Sequence, residues 1–215
     1  TTLLLEQSVK NHVSHFVLAS SSSVYGNQTK IPYSEADDVS KPISPYAATK
    51  KACELIAHSF TAAHGLPVTC LRYFTVYGPR QRPEMAIAKF TEQIMQGESL
   101  QVYGDGNAQR DFTFIDDITA GTLLAGERPN GFEIINLGNS RMTSVNELVK
   151  QLEGLCNKKA VVNYLPAQTG DVDKTFADIT KAKTQYGYKP NTPIEIGLQK
   201  YVQWKLDQNP IAQCF

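Results

Sequence analysis

Residues 44–51, SPYAATKK, place a tyrosine and a lysine four positions apart, Tyr46 and Lys50. Inside a helix that spacing brings both side chains onto one face. A phenol whose ordinary pKa lies near ~10 transfers no proton at neutral pH unless a neighbouring positive charge favours the phenolate. Lys50 supplies such a charge, a bound oxidised nicotinamide would add a second, and the lysine could also hold that cofactor's ribose. The phenolate would then be a base, taking the proton from a sugar or alcohol hydroxyl while hydride leaves the carbon. The bare spacing is a weak signal, because a chain with 10 tyrosines offers on the order of one such pair by chance. Tyr201 with Lys205 is a second instance, and the competing reading of either pair is an exposed helix face.

The elements that must position these groups are legible around them. Ser44 followed by Pro45 is a helix start, and the apolar pattern Ala52, Leu55, Ile56, Phe60 runs on to a stop at Gly65. Upstream, HFVLAS (15–20) is a short apolar run of the kind that forms a buried parallel strand, followed by a polar Ser/Gly loop. ASSSSVYG (19–26) puts a run of hydroxyls at the carboxyl end of that strand, where open α/β sheets bind ligands; by itself it would be a polar turn. Downstream, PVTCLRYF (67–74) is the next strand, and LRYFTVYGP ends it at the same edge. Strand, helix and strand in that order form a parallel crossover, so three elements converge on one crevice. Beyond Gly78, loops rich in Gly, Pro and Asn separate an expected helix at 85–96, strands at 99–103 and 110–115, a helix at 117–125, a strand at 132–137 and helices at 144–155, 179–186 and 194–207.

Composition narrows the partners. A chain of 215 residues with 41% hydrophobic content buries one good core and a small second lobe. With 21 basic and 21 acidic residues the net charge is zero, and there is no run of like charge. That excludes the footprint of a nucleic-acid or membrane-surface binder and leaves small molecules. Cys53, Cys70, Cys156 and Cys214 form no close pairs, so neither a metal site nor a disulfide framework is suggested, and they read as reduced thiols of a cytoplasmic protein. No apolar run approaches the ~20 residues that span a bilayer, and TTLLLEQSVK lacks the flanks of a signal peptide. That opening starts directly in a helical pattern, Leu3, Leu4, Leu5 and Val9, which gives the expectation that the chain is the back part of something longer.

The segments SSSSVYG, PYAATKK, RYFTVYGP, VYGDG, RDFTFIDD and GDVDKTFADITKA occur in the order seen in extended short-chain dehydrogenase/reductases that act on nucleotide-sugars. The resemblance covers nearly the whole chain, and SSSSVYG with FTVYGPRQRPEMA most resembles UDP-glucuronate 4-epimerases. It implies an α/β fold, the C-terminal part of a Rossmann-like parallel sheet plus a smaller α/β substrate-binding lobe. Residues 1–80 would be the remnant of the dinucleotide-binding domain, and 81–215 mainly the nucleotide-sugar lobe, with some elements returning to the first. The cofactor implied is NAD and the substrate a UDP-sugar, with transient oxidation at C4.

By the same resemblance Ser21 shares the C4 oxygen with Tyr46, the catalytic base, and Lys50 binds the cofactor. The segment at Tyr73 lies beside the nicotinamide. Tyr103 lies near the uracil, Arg110 on the diphosphate and Asp171 on the ribose, in keeping with guanidinium–phosphate and carboxylate–hydroxyl pairing. Ser22, Thr75 and Arg82 border the sugar's C6 group, where a guanidinium suits a uronic acid's carboxylate. A homodimer is implied through the tyrosine helix and the helix before it.

Departures from relatives carry information. UDP-galactose 4-epimerases have asparagine and a second phosphate arginine where this chain has Thr75 and Gln168. Sugar 4,6-dehydratases have an Asp-Glu pair where it has Ser22 and Ser23. Nowhere is there the Gly-rich turn that holds the dinucleotide pyrophosphate at a helix N-terminus; YGDGNAQ comes closest but opens no helix. Two rival readings stand: a UDP-glucuronate decarboxylase, which usually has glutamate where Ser23 stands, and a non-catalytic fragment that only binds nucleotide-sugar.

Overall fold

The structure, a computed structural model, describes residues 1–167 and 174–208. Helix α1 (Thr2–Lys10) leads into strand β1 (Phe16–Ser21), a single 3₁₀ turn at Ser22–Tyr25 and, after a loop, the long helix α2 (Pro45–His64). Strand β2 (Val68–Tyr73) follows; then β3 (Thr75–Tyr77), α3 (Ala86–Gln96), β4 (Ser99–Tyr103), β5 (Gln109–Arg110), β6 (Phe112–Phe114) and α4 (Ile115–Gly126). Strand β7 (Phe132–Leu137), β8 (Thr143–Ser144), α5 (Val145–Cys156), β9 (Val161–Leu165), a π-helical turn at Ala182–Tyr186 and α6 (Ile194–Gln208) complete the described elements.

The central sheet is parallel with strand order β1-β2-β7. Its register sets Ser20 beside Arg72 and Arg72 beside Asn136, one residue before the carboxyl edge at Ser21, Tyr73 and Leu137. Five of six positions of β2 are buried, as a strand covered on both faces requires. Leu5, Ala57, Leu66 and Cys70 fill the layer between the sheet and α1/α2, whereas Leu71, Ile135, Ile118 and Ala125 fill the layer toward α4. A separate core of Ile94, Leu100, Phe112, Leu148 and Leu198 joins α3, α5 and α6 to β4 and β6. Side chains occupy backbone groups of β7: Asn136 N–H donates to Glu35 Oε1 at 2.8 Å and Lys181 Nζ to the Ile134 carbonyl at 2.9 Å. Capping an edge this way keeps it from templating another chain.

Helix α2 forms where its signals place it. Ser44 Oγ accepts from Ala47 N–H at 3.1 Å, Pro45 occupies the first turn, and Gly65 at φ +68° ends the helix in the left-handed region. The expected strand at 110–115 divides instead. Arg110 pairs antiparallel with β8, β6 pairs parallel with β3, and the helix begins at Ile115 rather than 117. The cause is Asp111, whose buried carboxylate accepts from the N–H groups of Asn139, Ser140 and Ala177 and pins the chain between two short strands. The acidic Asp116 and Asp117 then favour a helix N-terminus. The helix expected at 179–186 is mostly the π-helical turn, and the polar loop after β1 opens as a 3₁₀ turn capped by Ser21. Among the described residues, no helix is long and apolar enough to cross a membrane.

Candidate active site

The carboxyl ends of β1 and β2, the start of β3 and the first turns of α2 enclose a cavity of about 670 Å³. Ser21 and Ser22 line it from the end of β1, Tyr46 and Lys50 from α2, and Tyr73 and Thr75 from the β2–β3 junction. Arg82 enters from the loop after β3, and Arg110 from β5. An adjoining cavity of about 330 Å³ shares Thr75, Gln81, Met85 and Arg110 with the first and has Tyr103 in its wall. Every candidate among the described residues thus lies on one of two contiguous spaces, of a size that takes small ligands. Asp171 and Gln168 lie outside the described residues.

Ser21 is fixed by its own turn. Its Oγ accepts from Ser23 N–H at 3.2 Å and from Ser23 Oγ at 2.9 Å, which leaves its hydroxyl hydrogen without an acceptor among the described residues. A hydroxyl held in this way presents a donor to a ligand oxygen. Tyr46, in the first turn of α2, is 56% exposed, as a group that must reach a ligand has to be. Lys50 Nζ sits 5.7 Å from the centroid of the Tyr46 ring and donates to the Ala19 carbonyl at 2.8 Å, so the charge is clipped to the edge of β1 beside the phenol. Tyr73 has a different task. Its hydroxyl lies 3.0 Å from Thr122 Oγ1 on α4, which ties the ring into the cavity wall, and burial pushes its pKa up.

The opposite side of the cavity is built from β3 and its loop. Thr75 N–H donates to the Asp111 carbonyl at 3.1 Å, which ties the pocket wall to β5 and β6. Burial pushes the Asp111 carboxyl up to about 6 against the pull of its backbone donors. Gly78, at φ +148°, closes β3 where a Cβ would stand 2.4 Å from Ile115 Cγ2, so the turn into the Arg82 loop needs glycine. Arg82 itself is 74% exposed at its side chain and pairs with Glu84 at 3.2 Å. Sequence reasoning overlooked Gln81 and Met85, although both sit in the YGPRQRPEM stretch it had singled out. Gln81 is held by donating Nε2–H to the Val76 carbonyl at 3.0 Å. It also overlooked Tyr33 and Thr175, which reach the larger cavity through contacts remote in sequence and carry no local signal.

The second Tyr/Lys pair separates from the first on every count. Tyr201 is buried in the core of α3, α5 and α6, where burial pushes its phenol up to about 12, and Lys205 is paired with Glu92 at 2.6 Å.

Comparison with known proteins gives a consistent result. The NAD dependent epimerase/dehydratase family matches residues 1–138. A UDP-glucuronate 4-epimerase of Thermodesulfobacterium geofontis is 44% identical over 205 residues, covering 95% of this chain and 63% of that protein. The solved UDP-glucuronic acid 4-epimerase of Bacillus cereus with UDP-glucuronic acid and NAD superposes at TM-score 0.89 with 35% identity, over 96% of this chain and 66% of the other. A UDP-glucose 4-epimerase of Thermotoga maritima with UDP-glucose superposes at 0.91 with 36% identity, over 96% and 68%. The chain spans less than two thirds of the length of the curated relative it is compared with here. With a parallel Rossmann-like sheet, the serine turn and the Tyr46–Lys50 helix at its carboxyl edge, and a family match over residues 1–138, this chain belongs to the NAD dependent epimerase/dehydratase family.

Proposed function

We propose that the site carries NAD-dependent epimerisation of a UDP-sugar at C4, interconverting UDP-glucuronate and UDP-galacturonate. The observation that carries the reading is the convergence of Ser21, Tyr46 and Lys50 on one cavity at the carboxyl edge of a parallel sheet. The wall of Tyr46, Lys50 and Tyr73 fits the nicotinamide end of NAD: one fixed ammonium able to donate to ribose hydroxyls, beside an aromatic wall tied to α4. Held by Tyr46, Lys50 and Tyr73, NAD would supply a reversible acceptor for the C4 hydride.

The chain's own residues handle the proton and the geometry. Tyr46, as phenolate, accepts the proton of the C4 hydroxyl as the carbonyl forms, and gives it back when the ketone is reduced. Lys50 holds its ammonium beside the Tyr46 ring, 5.7 Å from the centroid. Ser21 donates its uncommitted hydrogen to the same oxygen. Arg110 meets the diphosphate and Tyr103 the uracil. Arg82, Thr75 and Ser22 hold the C6 carboxylate. Arg82 must leave Glu84 to do so, and an exposed ion pair of that kind is worth only about 0–1 kcal/mol. Ser23 donates to Ser21, and its hydroxyl stands where UDP-glucuronate decarboxylases usually have a carboxyl; this favours epimerisation over loss of CO₂.

Two further elements of the reading are a cytoplasmic location and a homodimer. Leu3 and the exposed Leu4 on α1, the former 75% exposed, together with the exposed Leu55 on α2, would be buried against the same helices of a second copy. The test of the chemistry is Tyr46→Phe, assayed on the longest polypeptide the reading frame encodes. We expect kcat to fall by about 10² to 10⁴ fold, the usual worth of general acid–base catalysis, while the buried control Tyr201→Phe changes it little. Equal losses from both would make the Tyr46 face structural. No turnover by the wild type would favour the non-catalytic reading.

A further inference from the structure

A charged residue lies on the catalytic face of α2 but outside the cavity. Glu54 follows Lys50 by one helical turn and Tyr46 by two, so the three share one side of the helix. Its side chain is 1% exposed, and each carboxylate oxygen is committed. Oε1 accepts from Ser20 Oγ at 2.7 Å and Arg72 Nε at 2.8 Å. Oε2 accepts from Arg72 Nη2 at 2.9 Å and Lys51 Nζ at 3.4 Å.

The partners of Glu54 lead to both ends of the serine turn. Ser20 immediately precedes Ser21. On the other side, the Arg72 guanidinium lies 4.8 Å over the ring of Tyr25, the last residue of the turn, and Tyr25 Oη donates to Asn136 Oδ1 at 2.7 Å. Ser20, Arg72 and Asn136 are register neighbours across β1, β2 and β7, all buried, so a polar row crosses the sheet one residue behind the catalytic edge. With Lys50 bonded to the Ala19 carbonyl, α2 is clipped to two consecutive residues of β1 by side chains one turn apart. A buried ion pair stabilises a fold little more than well-packed apolar residues would. Arg72 even leaves its Nη1 without a partner among the described residues. What the row does provide is a fixed relation between three elements whose separation sets the chemistry.

We propose that Glu54 is a positioning residue: acting through Ser20 and Arg72, it sets the placement of Tyr46 and Lys50 relative to Ser21. Only the turnover arm of the test rests on the proposed function. Ser20→Ala removes the bond between the turn and Glu54 at the cost of one buried hydroxyl, Ser20→Thr restores it, and Val149→Ala in the other core is a control chosen for a comparable loss of Tm. On the longest polypeptide of the reading frame, Ser20→Ala should lower kcat for UDP-glucuronate by about ten- to a hundredfold, the scale of an ångström-sized misplacement. KM should stay nearly constant, Ser20→Thr should recover most of the loss, and Val149→Ala should leave kcat of the folded enzyme unchanged. Independently of turnover, amide hydrogen exchange at residues 21–25 and 46–50 should quicken in Ser20→Ala and not in Val149→Ala. Unaltered exchange at both segments, or the same exchange and kcat changes in Val149→Ala, would overturn the proposal. A wild type without turnover would count against the epimerase reading, and the exchange arm would then decide the positioning role alone.

Discussion

In the proposed function, the choice of sugar turns on Arg82. A hexose presents a neutral C6 hydroxyl to the loop after β3, whereas a uronic acid presents a carboxylate that a guanidinium grips through two parallel hydrogen bonds. Losing one charge-assisted contact costs about 1.5–3 kcal/mol, or about tenfold to over a hundredfold in an equilibrium constant. Arg82→Ala should therefore weaken turnover of UDP-glucuronate by that factor and leave any residual turnover of UDP-glucose nearly unchanged, as compared by kcat/KM on the two substrates. Equal losses on both, or a wild type that prefers UDP-glucose, would remove the uronic-acid assignment. At this scale the residue types were legible in the sequence, but their engagement was not. The Tyr46–Lys50 and Tyr201–Lys205 pairs have the same spacing, and only tertiary packing makes one a cavity wall and the other core. Nor does any spacing reveal that Arg82 is held by Glu84 two residues on.

At the scale of elements, the joint between α2 and the sheet has a measurable pH signature. Burial alone would raise the Glu54 carboxyl, but the hydrogen bonds and charge of Arg72 override it, and its pKa lies below the ordinary value of about 4.5. A carboxyl depressed on folding contributes stability that is present above the unfolded value and lost as pH falls through the folded one. Asp111 has the opposite sign, because burial raises it to about 6, so its contribution declines as pH climbs from 3.8 toward that value. Comparing Glu54→Gln with wild type isolates the first effect: in urea titrations the difference in stability should be large at pH 7 and shrink below about pH 4.5. A difference independent of pH would mean that Glu54 is not held as an anion. The sequence held a cue to this joint, since Glu54 and Arg72 are opposite charges inside otherwise apolar stretches, ACELIA and VTCLRYF. The long elements α2, β2 and β7 were readable from continuous patterns and caps. The short β3 and β8 were not, and the strand expected at 110–115 was realised only in part as β5 and β6, because two- and three-residue strands exist only through pairing with remote partners such as Phe112 with Thr75.

For the whole molecule, Leu3 and Leu4 of α1 and Leu55 of α2 leave apolar side chains in water, and the reading that they meet a second copy has a direct check. Sedimentation at micromolar concentration should give a dimer that Leu55→Glu weakens; a species that is monomeric throughout would contradict it. The fold class followed from the order strand, helix, strand and from the family motifs. The layering of β7 and α4 against β1 and β2, far along the chain, could be known only from the assembled sheet. The epimerase reading as a whole is tested most directly by following UDP-glucuronate deuterated at C4 by NMR, with NAD and the longest polypeptide of the reading frame. It predicts UDP-galacturonate with the deuterium retained at C4, since the same hydride leaves and returns. A decarboxylated pentose product, deuterium lost to solvent, or no conversion at all would contradict it.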